Sequence, residues 1–262
     1  MKQYYPGHME KGKHTIRRLI AHVDLVAEVC DARIPRSSRN PDLAKWTSSK
    51  RRVIILNRKD LADPEATQLW LSALARAGEE AIASDGNSGE GLSELERVIR
   101  HGLRVMVVGI PNVGKSSIIN RLARRRKAPT GMKVGVTRGL QWIRLPGGAM
   151  LLDLPGILRP KIGSAETRYH LAIAGLLPED VYDVEEVAEL LLAYLRQRSP
   201  ESLARTYGGY TLESVGRSRG YLLPGDRVDP EKSARAVIHD FRAGKLGTFT
   251  LEMPEEETDS GT

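Results

Sequence analysis

The sequence has little cysteine, few aromatic residues and no long hydrophobic run. Its 262 residues contain a single cysteine, Cys30, so an internal disulfide cannot form, and the apolar run around this residue predicts a buried small side chain. Only 5% of the residues are aromatic, which argues against a surface that stacks single-stranded nucleic acid. No stretch approaches ~18 consecutive apolar residues and no signal-peptide pattern is present. We therefore expect a soluble, cytoplasmic chain that does not bind membranes.

Basic residues outnumber acidic ones. The chain has 40 Lys and Arg against 33 Asp and Glu, which gives a formal charge of +7 and a pI near 9.5. A large anionic partner such as nucleic acid accounts for this excess. A basic surface that serves only solubility accounts for it equally well, so charge alone leaves both interpretations open.

The most specific motif is the segment 109–116, Gly-Ile-Pro-Asn-Val-Gly-Lys-Ser, which fits the pattern G-x-x-x-x-G-K-[ST] without a mismatch. It follows a predicted apolar strand and precedes a predicted amphipathic helix, the context in which such a loop binds phosphates. Backbone N–H groups then surround the polyphosphate, the lysine adds positive charge and the Ser116 hydroxyl can bind Mg²⁺. The residues expected at the phosphates are Asn112, Val113, Gly114, Lys115, Ser116 and Ser117.

A second motif, Asp153-Leu-Pro-Gly156, follows the next predicted strand. Its carboxylate is suited to the Mg²⁺ shell, and the Gly156 N–H to the γ-phosphate. Thr137 lies between the two motifs and is a candidate for a second hydroxyl ligand of the metal. The motif is short, and only its position downstream of Lys115 makes it informative.

Upstream, Asn57-Arg58-Lys59-Asp60 resembles the N-K-x-D signature of GTPases. In that signature a carboxylate accepts hydrogen bonds from guanine, and adenine cannot satisfy it, so Asp60 predicts GTP rather than ATP. Arg58 replaces the usual lysine, and both side chains can lay an aliphatic stem along a base. A polar strand end without a ligand is the alternative interpretation.

A loop that starts with Ser84, Asp85 and Gly86 occupies the place where backbone N–H groups are expected to meet the guanine O6 atom. This loop varies among GTPases, so its register is open by a residue or two.

The order of these motifs is inverted relative to ordinary GTPases, because the guanine motif precedes the phosphate loop. The chain is therefore similar to the circularly permuted GTPases. Its detailed motifs resemble the YlqF/RbgA family of bacterial ribosome-biogenesis GTPases; they are Tyr5–Met9, Asp31–Pro35, Ser37–Pro41, Gly109–Ser116, Asp153–Ile157, Arg219–Gly220 and Gly244–Gly247. The resemblance implies GTP hydrolysis coupled to late assembly of the large (50S) ribosomal subunit, with rRNA contacted by a helical domain.

Strands that alternate with helices predict an α/β fold with a parallel-dominated sheet. We expect a circularly permuted P-loop GTPase domain over residues 1–163 and a smaller all-helical RNA-binding domain over 164–253. Residues 247–253 are a candidate strand at the end of the second domain. Residues 254–262 are expected to form an acidic flexible tail. Helix starts are predicted at Asp63, Asp183, Ser199, Thr211 and Asp229. We expect the chain to be a monomer. Its expected partners are a precursor of the large ribosomal subunit and the rRNA of that precursor.

The D-x-x-G motif lacks the residue that usually acts in hydrolysis. Many GTPases orient the attacking water with a glutamine after the glycine of the D-x-x-G motif, but Ile157 and Leu158 follow here and are apolar. The resemblance suggests His8 for this role, and a structural histidine in a turn is the alternative. It also suggests that Asn112 binds a K⁺ ion, where the alternative is an ordinary turn residue.

Other functions stay open. The basic run Arg124–Lys127 is either a solvated face or a contact with rRNA phosphate. GTP can also act only as a conformational lock in an RNA-binding assembly factor. An ATPase or small-molecule kinase is disfavoured by Asp60.

Overall fold

The computed structural model describes residues 6–99, 101–124, 134–137, 140–154 and 162–255. These residues divide into two compact units. The first contains the described residues up to 154 together with 250–255, and the second contains Ile162–Phe249. Among the helices in these ranges, none combines the length and the apolar character that crossing a bilayer requires.

A seven-stranded sheet forms the centre of the first unit. In chain order its strands are β1 (Leu25–Asp31), β2 (Arg51–Asn57), β3 (Glu80–Ala83), β4 (Arg104–Val108), β5 (Val134–Thr137), β6 (Leu140–Arg144) and β7 (Met150–Asp153). Their spatial order is β3-β2-β1-β4-β7-β6-β5. Strands β3, β2, β1, β4 and β7 are parallel, whereas β6 runs antiparallel to β7 and β5. The predicted parallel-dominated sheet is confirmed.

Strand β1 is buried along its whole length and lies between β2 and β4. A strand buried on both faces has a nearly continuous apolar sequence, as this one has. Cys30 is fully buried there, and burial raises the pKa of its thiol well above the ordinary value. Because β1, β2 and β4 are parallel, the loops that follow them lie at one edge of the sheet.

Within the described residues, the first unit contains five α-helices. They are α1 (Pro6–Leu19), α2 (Leu43–Trp46), α3 (Pro64–Arg76), α4 (Leu92–Val98) and α5 (Lys115–Arg124). Helix α3 begins as predicted, since the Asp63 side chain accepts a hydrogen bond from the Ala66 N–H and Pro64 is the first helical residue. Helix α1 begins at Pro6, before the start near Glu10 that apolar spacing indicates, because proline suits the first helical turn.

The second unit is mainly helical, as predicted. Its elements are α6 (Ala165–Ala174), α7 (Val184–Arg198), α8 (Pro200–Tyr207), α9 (Leu212–Arg219), β8 (Leu222–Leu223), β9 (Arg227–Val228) and α10 (Pro230–Arg242). The side chains of Asp183, Thr211 and Asp229 cap α7, α9 and α10, which confirms those three starts. The short antiparallel pair β8–β9 is an addition to the all-helical expectation.

A buried carboxylate organises the second unit. Asp240 accepts hydrogen bonds from the Tyr207 hydroxyl at 2.8 Å, from Arg219 at 2.5 Å and from Lys245 at 2.9 Å. Burial by itself raises the pKa of Asp240, but these three donors outweigh it and hold the pKa below the ordinary value. The carboxylate therefore stabilises the fold in its ionised form.

Residues after Gly247 differ from the expectation in two ways. They form no strand within the described range up to 255, and Thr250–Glu255 packs with the first unit instead of the helical one. The physical reason is a set of long-range hydrogen bonds: Trp70 Nε1 donates to the Glu252 carbonyl at 2.8 Å, and the Leu251 N–H donates to the Arg33 carbonyl at 2.8 Å. The expected boundary at residue 253 therefore lies too late in the chain.

Candidate nucleotide-binding site

The loop between β4 and α5 adopts a conformation that requires its glycines. Gly109 and Gly114 have φ of 157° and 96°. A Cβ atom at Gly109 would lie 2.5 Å from the Val29 carbonyl oxygen, and one at Gly114 would lie 2.2 Å from Asn57 Nδ2. The motif glycines are therefore fixed both by the backbone and by close neighbours from other strands.

Lys115 is the first residue of α5 and is 7% exposed. Its Nζ atom donates to the carbonyl oxygens of Gly109 at 3.0 Å and Ile110 at 2.9 Å. Burial lowers the pKa of the lysine, and the nearby negative charge of Asp153 opposes that effect. The ammonium group is thus held inside the loop, at the position where a polyphosphate would accept from it.

Asp153 ends β7, beside Val107 of β4. One carboxylate oxygen, Oδ1, is buried and has no hydrogen-bond partner among the residues that the structure describes. Burial raises the pKa of this carboxyl group, and Lys115 partly offsets the increase. A buried carboxylate oxygen of this kind is suited to a cation shell, so Asp153 fits the Mg²⁺ role expected from the sequence.

The other expected metal ligands are placed differently. Ser116 follows Lys115 in α5 and is exposed. Thr137 ends β5, and β6 separates β5 from β7, so the Thr137 backbone lies roughly two strand spacings (~10 Å) from the strand of Asp153. The structure thus places Ser116 at the phosphate loop. It describes the Thr137 backbone but not its side chain, so the metal-binding role of Thr137 stays a prediction. The described residues contain no cluster of three His, Cys, Asp or Glu that could hold a metal by itself.

Asn57 joins the guanine motif to the phosphate loop. It ends β2 and is 2% exposed. Its Nδ2 atom donates to the Val113 carbonyl at 3.0 Å, and its Oδ1 atom accepts from the Gly86 N–H at 2.9 Å. One buried side chain therefore fixes the phosphate loop and the loop after β3 relative to each other. The two motifs that the sequence separates meet at the same edge of the sheet.

Arg58 connects the phosphate loop to the end of β1. Its backbone has φ of 61°, in the left-handed region. Its guanidinium group donates to the Asn112 carbonyl at 2.7 Å and to Asp31 Oδ2 at 3.0 Å. The arginine that replaces the usual lysine is thus held by a carboxylate on one side and by the phosphate loop on the other.

Asp31 was not among the predicted site residues. It ends β1, is completely buried and accepts two side-chain hydrogen bonds from Arg33, at 2.9 Å and 2.8 Å. Burial alone raises the pKa of Asp31, but Arg33 and Arg58 lower it below the ordinary value. In the sequence, Asp31 stood out only as the first residue of the motif Asp31–Pro35, which carries part of the family resemblance but gave no role to its carboxylate.

Asp60, the expected base-reading residue, is exposed at the same edge. Partial burial and the negative charge of Asp85 raise its pKa, whereas Arg33 and Arg58 lower it. The net result is a pKa above the ordinary carboxyl value, and the two arginines limit this increase. Lys59 pairs with Glu90 at 2.6 Å.

The first N–H groups of the loop after β3 have acceptors within the protein. The N–H groups of Ser84, Asp85 and Gly86 donate to the Leu56 carbonyl, the Glu90 carbonyl and Asn57 Oδ1, respectively. These hydrogen bonds shape the loop, and its contact with the guanine O6 atom stays a prediction. The Asp85 carboxylate accepts from the N–H groups of Asn87 and Ser88, at 2.7 Å and 2.8 Å.

Several predicted positions lie outside the described residues. These are Gly156, the residues 125–127 of the basic run, and Ile157 and Leu158. His8 belongs to the first turn of α1, and the description does not extend to its side chain or to those of Arg124 and Thr137. Their roles stay predictions.

A phosphate loop joined to a guanine motif that precedes it in sequence defines a circularly permuted P-loop GTPase. Comparisons with known proteins agree. Residues 104–208 match the family described as 50S ribosome-binding GTPase. Ribosome biogenesis GTPase A of Priestia megaterium is 37% identical over 97% of this chain and 97% of that protein, and that of Thermotoga maritima is 33% identical over 97% and 95%.

Solved structures give the same result. The GDP-bound structure of TM YlqF has a TM-score of 0.71 and 30% identity, covering 92% of this chain and 100% of the other. GNP-bound YlqF from T. maritima has a TM-score of 0.71 and 29% identity, covering 93% and 98%. The chain belongs to the ribosome biogenesis GTPase A family, and it is a GTPase.

Proposed function

We propose that this protein binds and hydrolyses GTP as an assembly factor of the large (50S) ribosomal subunit, and that the ribosome stimulates its hydrolysis. The Asn57 bridge supports the nucleotide part of this proposal, because it brings the guanine motif and the phosphate loop to one edge of the sheet. The name of its relatives and the matching family description support the ribosomal part.

The site residues divide into three roles. Asp60 and the stems of Arg58 and Lys59 bind the guanine base. The N–H groups of residues 112–117, with Lys115, bind the phosphates. Ser116 and Asp153 hold Mg²⁺, which neutralises charge on the phosphates when it is bound.

The base role of Asp60 has a sharp test. Guanine presents two N–H donors to a carboxylate, whereas xanthine presents one donor and one acceptor, which suits an amide. We expect Asp60→Asn to weaken GDP binding by about 100-fold and to strengthen xanthosine diphosphate binding. Binding of both nucleotides is measured by calorimetry, with Glu65→Gln on exposed α3 as the control. Unchanged GDP binding in Asp60→Asn would refute the assignment.

The second unit supplies the proposed rRNA contact. Its exposed basic side chains include Arg196, Arg198, Arg205 and Lys232. Contacts of this kind are to backbone phosphate and weaken as salt increases. Affinity for purified 50S particles, measured at several salt concentrations with a non-hydrolysable GTP analogue, should fall steeply with salt. A salt-independent affinity would argue against phosphate contacts.

Ribosomal stimulation separates an active GTPase from a conformational lock. We expect purified 50S subunits to increase the GTP turnover of the wild-type chain. Equal turnover with and without 50S subunits, despite binding, would favour the lock.

His8 is proposed to orient the attacking water. His8→Ala should then lose most of the stimulated turnover while GDP affinity stays within twofold, and His22→Ala serves as the exposed control. Wild-type turnover in His8→Ala would eliminate this role.

Asn112 is proposed to hold K⁺. Its φ of 64° and the Arg58 hydrogen bond to its carbonyl constrain the backbone of this residue. Turnover should be higher in K⁺ than in Na⁺ at equal ionic strength, and equal rates would contradict the proposal.

A further inference from the structure

The segment Thr250–Met253, which we call the clasp, lies against the loop that follows β1. The Glu252 carboxylate accepts from the Arg36 N–H at 2.7 Å and from the Ser37 N–H at 3.1 Å. The Leu251 N–H donates to the Arg33 carbonyl at 2.8 Å. The clasp thus binds the backbone of this loop at three places. Along the chain, Glu252 is 215 or more residues away from the two residues whose N–H groups it binds.

The clasp also contacts the start of α3. Thr250 Oγ1 accepts from the Asp63 N–H at 3.2 Å, and the Glu252 carbonyl accepts from Trp70 Nε1 at 2.8 Å. Thr250 and Glu252 are 5% and 8% exposed. A buried carboxylate is costly unless its partners are well placed, so a glutamate here indicates that its two N–H contacts matter to the unit.

The loop held by the clasp carries the residues that support the base site. Asp31 begins this loop and accepts from Arg58, which donates in turn to the Asn112 carbonyl. Arg33, whose carbonyl the clasp binds, also places positive charge near Asp60 and limits the increase of the Asp60 pKa. Ser38, the residue after Ser37, accepts from the Asp31 N–H through its hydroxyl at 2.9 Å. Contacts along this loop therefore connect Glu252 to Asp31 and, through Arg58, to the phosphate loop.

We propose that the clasp completes the guanine-nucleotide site, and that Glu252 is a positioning residue. Glu252 acts on Arg58 through the loop that follows β1, residues 31–38. This inference rests on the proposed nucleotide-binding roles of Arg58 and Asp60. Without the clasp, the two N–H groups lose their acceptor and the loop relaxes. Arg58 then loses its fixed carboxylate partner, and guanine nucleotide binds more weakly.

The test compares full-length variants by fluorescence titration with mant-GDP. Glu252→Ala should weaken binding about tenfold or more, since two buried N–H groups lose a charged acceptor. Glu255→Ala removes the same charge from an exposed position two residues after the clasp, where Glu255 pairs with Arg36 at 3.2 Å, and should change binding less than twofold. Wild-type affinity in a folded Glu252→Ala variant would overturn the inference.

Two further measurements separate positioning from loss of fold. Glu252→Gln keeps the shape of the side chain and one acceptor oxygen, so it should fold and bind mant-GDP with intermediate affinity. If Glu252→Ala does not fold, wild-type mant-GDP affinity in Glu252→Gln overturns the inference.

In a double-mutant cycle, the effect of Glu252→Gln should shrink when Arg58 is already alanine, because both changes break one series of contacts. Fully additive effects would contradict the proposed path. If the wild-type chain failed to bind mant-GDP at all, the proposed function would fail instead.

Discussion

Replacement of Asn57 by alanine should destabilise the first unit strongly. The change removes the acceptor of the Gly86 N–H and the donor to the Val113 carbonyl, and both groups lie at a residue that is 2% exposed. A buried backbone group left without a partner costs about 1–3 kcal/mol, so the two together cost about 2–6 kcal/mol of unfolding free energy. The phosphate loop and the loop after β3 also lose their shared anchor.

Tryptophan fluorescence during urea denaturation measures this loss selectively. All three tryptophans of the chain, Trp46, Trp70 and Trp142, belong to the first unit. The matched control is Asn87→Ala, because Asn87 is exposed and lies in the loop that Asn57 holds. The control should differ from wild type by less than about 0.5 kcal/mol. A loss below about 1 kcal/mol for Asn57→Ala, or a loss equal to that of the control, would refute the bridging role.

Three further changes test other parts of the molecule. Gly114→Ala should abolish tight GDP binding, because the φ of 96° at this position is strained for alanine and the new Cβ would lie 2.2 Å from the Asn57 amide. Calorimetry measures GDP binding, and a variant with normal affinity would contradict the described loop. Since the pKa of Asp240 is lowered in the fold, its stabilisation is complete above the ordinary carboxyl pKa near 3.8 and is lost as the pH falls below that value. Asp240→Asn should therefore flatten this part of the acid-unfolding curve followed by circular dichroism, and an unchanged slope would argue against it. Gly216→Ala places a Cβ atom 2.1 Å from Val228 Cγ1. It should lower the unfolding free energy, measured by thermal unfolding, by about 1–3 kcal/mol, although alanine has the better helix propensity. A stabilised variant would show that this contact relaxes freely.

Much of the fold could be read from neighbouring residues. The starts of α3, α7, α9 and α10 were predicted because a capping side chain binds an N–H group three residues away, and the structure shows each of these contacts. The phosphate loop was equally readable, since its glycines and lysine act within eight consecutive residues. The start of α1 was misplaced, because apolar spacing does not mark a proline-led first turn.

The supporting contacts of the site were not predictable in this way. The side chain of Asn57 reaches a carbonyl 56 residues away, and Glu252 reaches an N–H group 216 residues away. Asp31 and Arg33 belonged to a motif of the family resemblance, but the sequence did not show which groups their side chains bind. Local spacing also could not show that the N–H groups of Ser84 to Gly86 are used within the protein.

The sequence by itself determined the chemistry of each motif, the helix caps and the alternation of strands and helices, because these depend on conformational preferences and hydrogen bonds among close neighbours. Only the tertiary structure decided which motifs meet, which acceptor each buried donor uses and to which unit the C-terminal segment belongs. Those choices follow from the order of strands in the sheet, where parallel strands bring distant loops to one edge and every buried polar group must find a partner there.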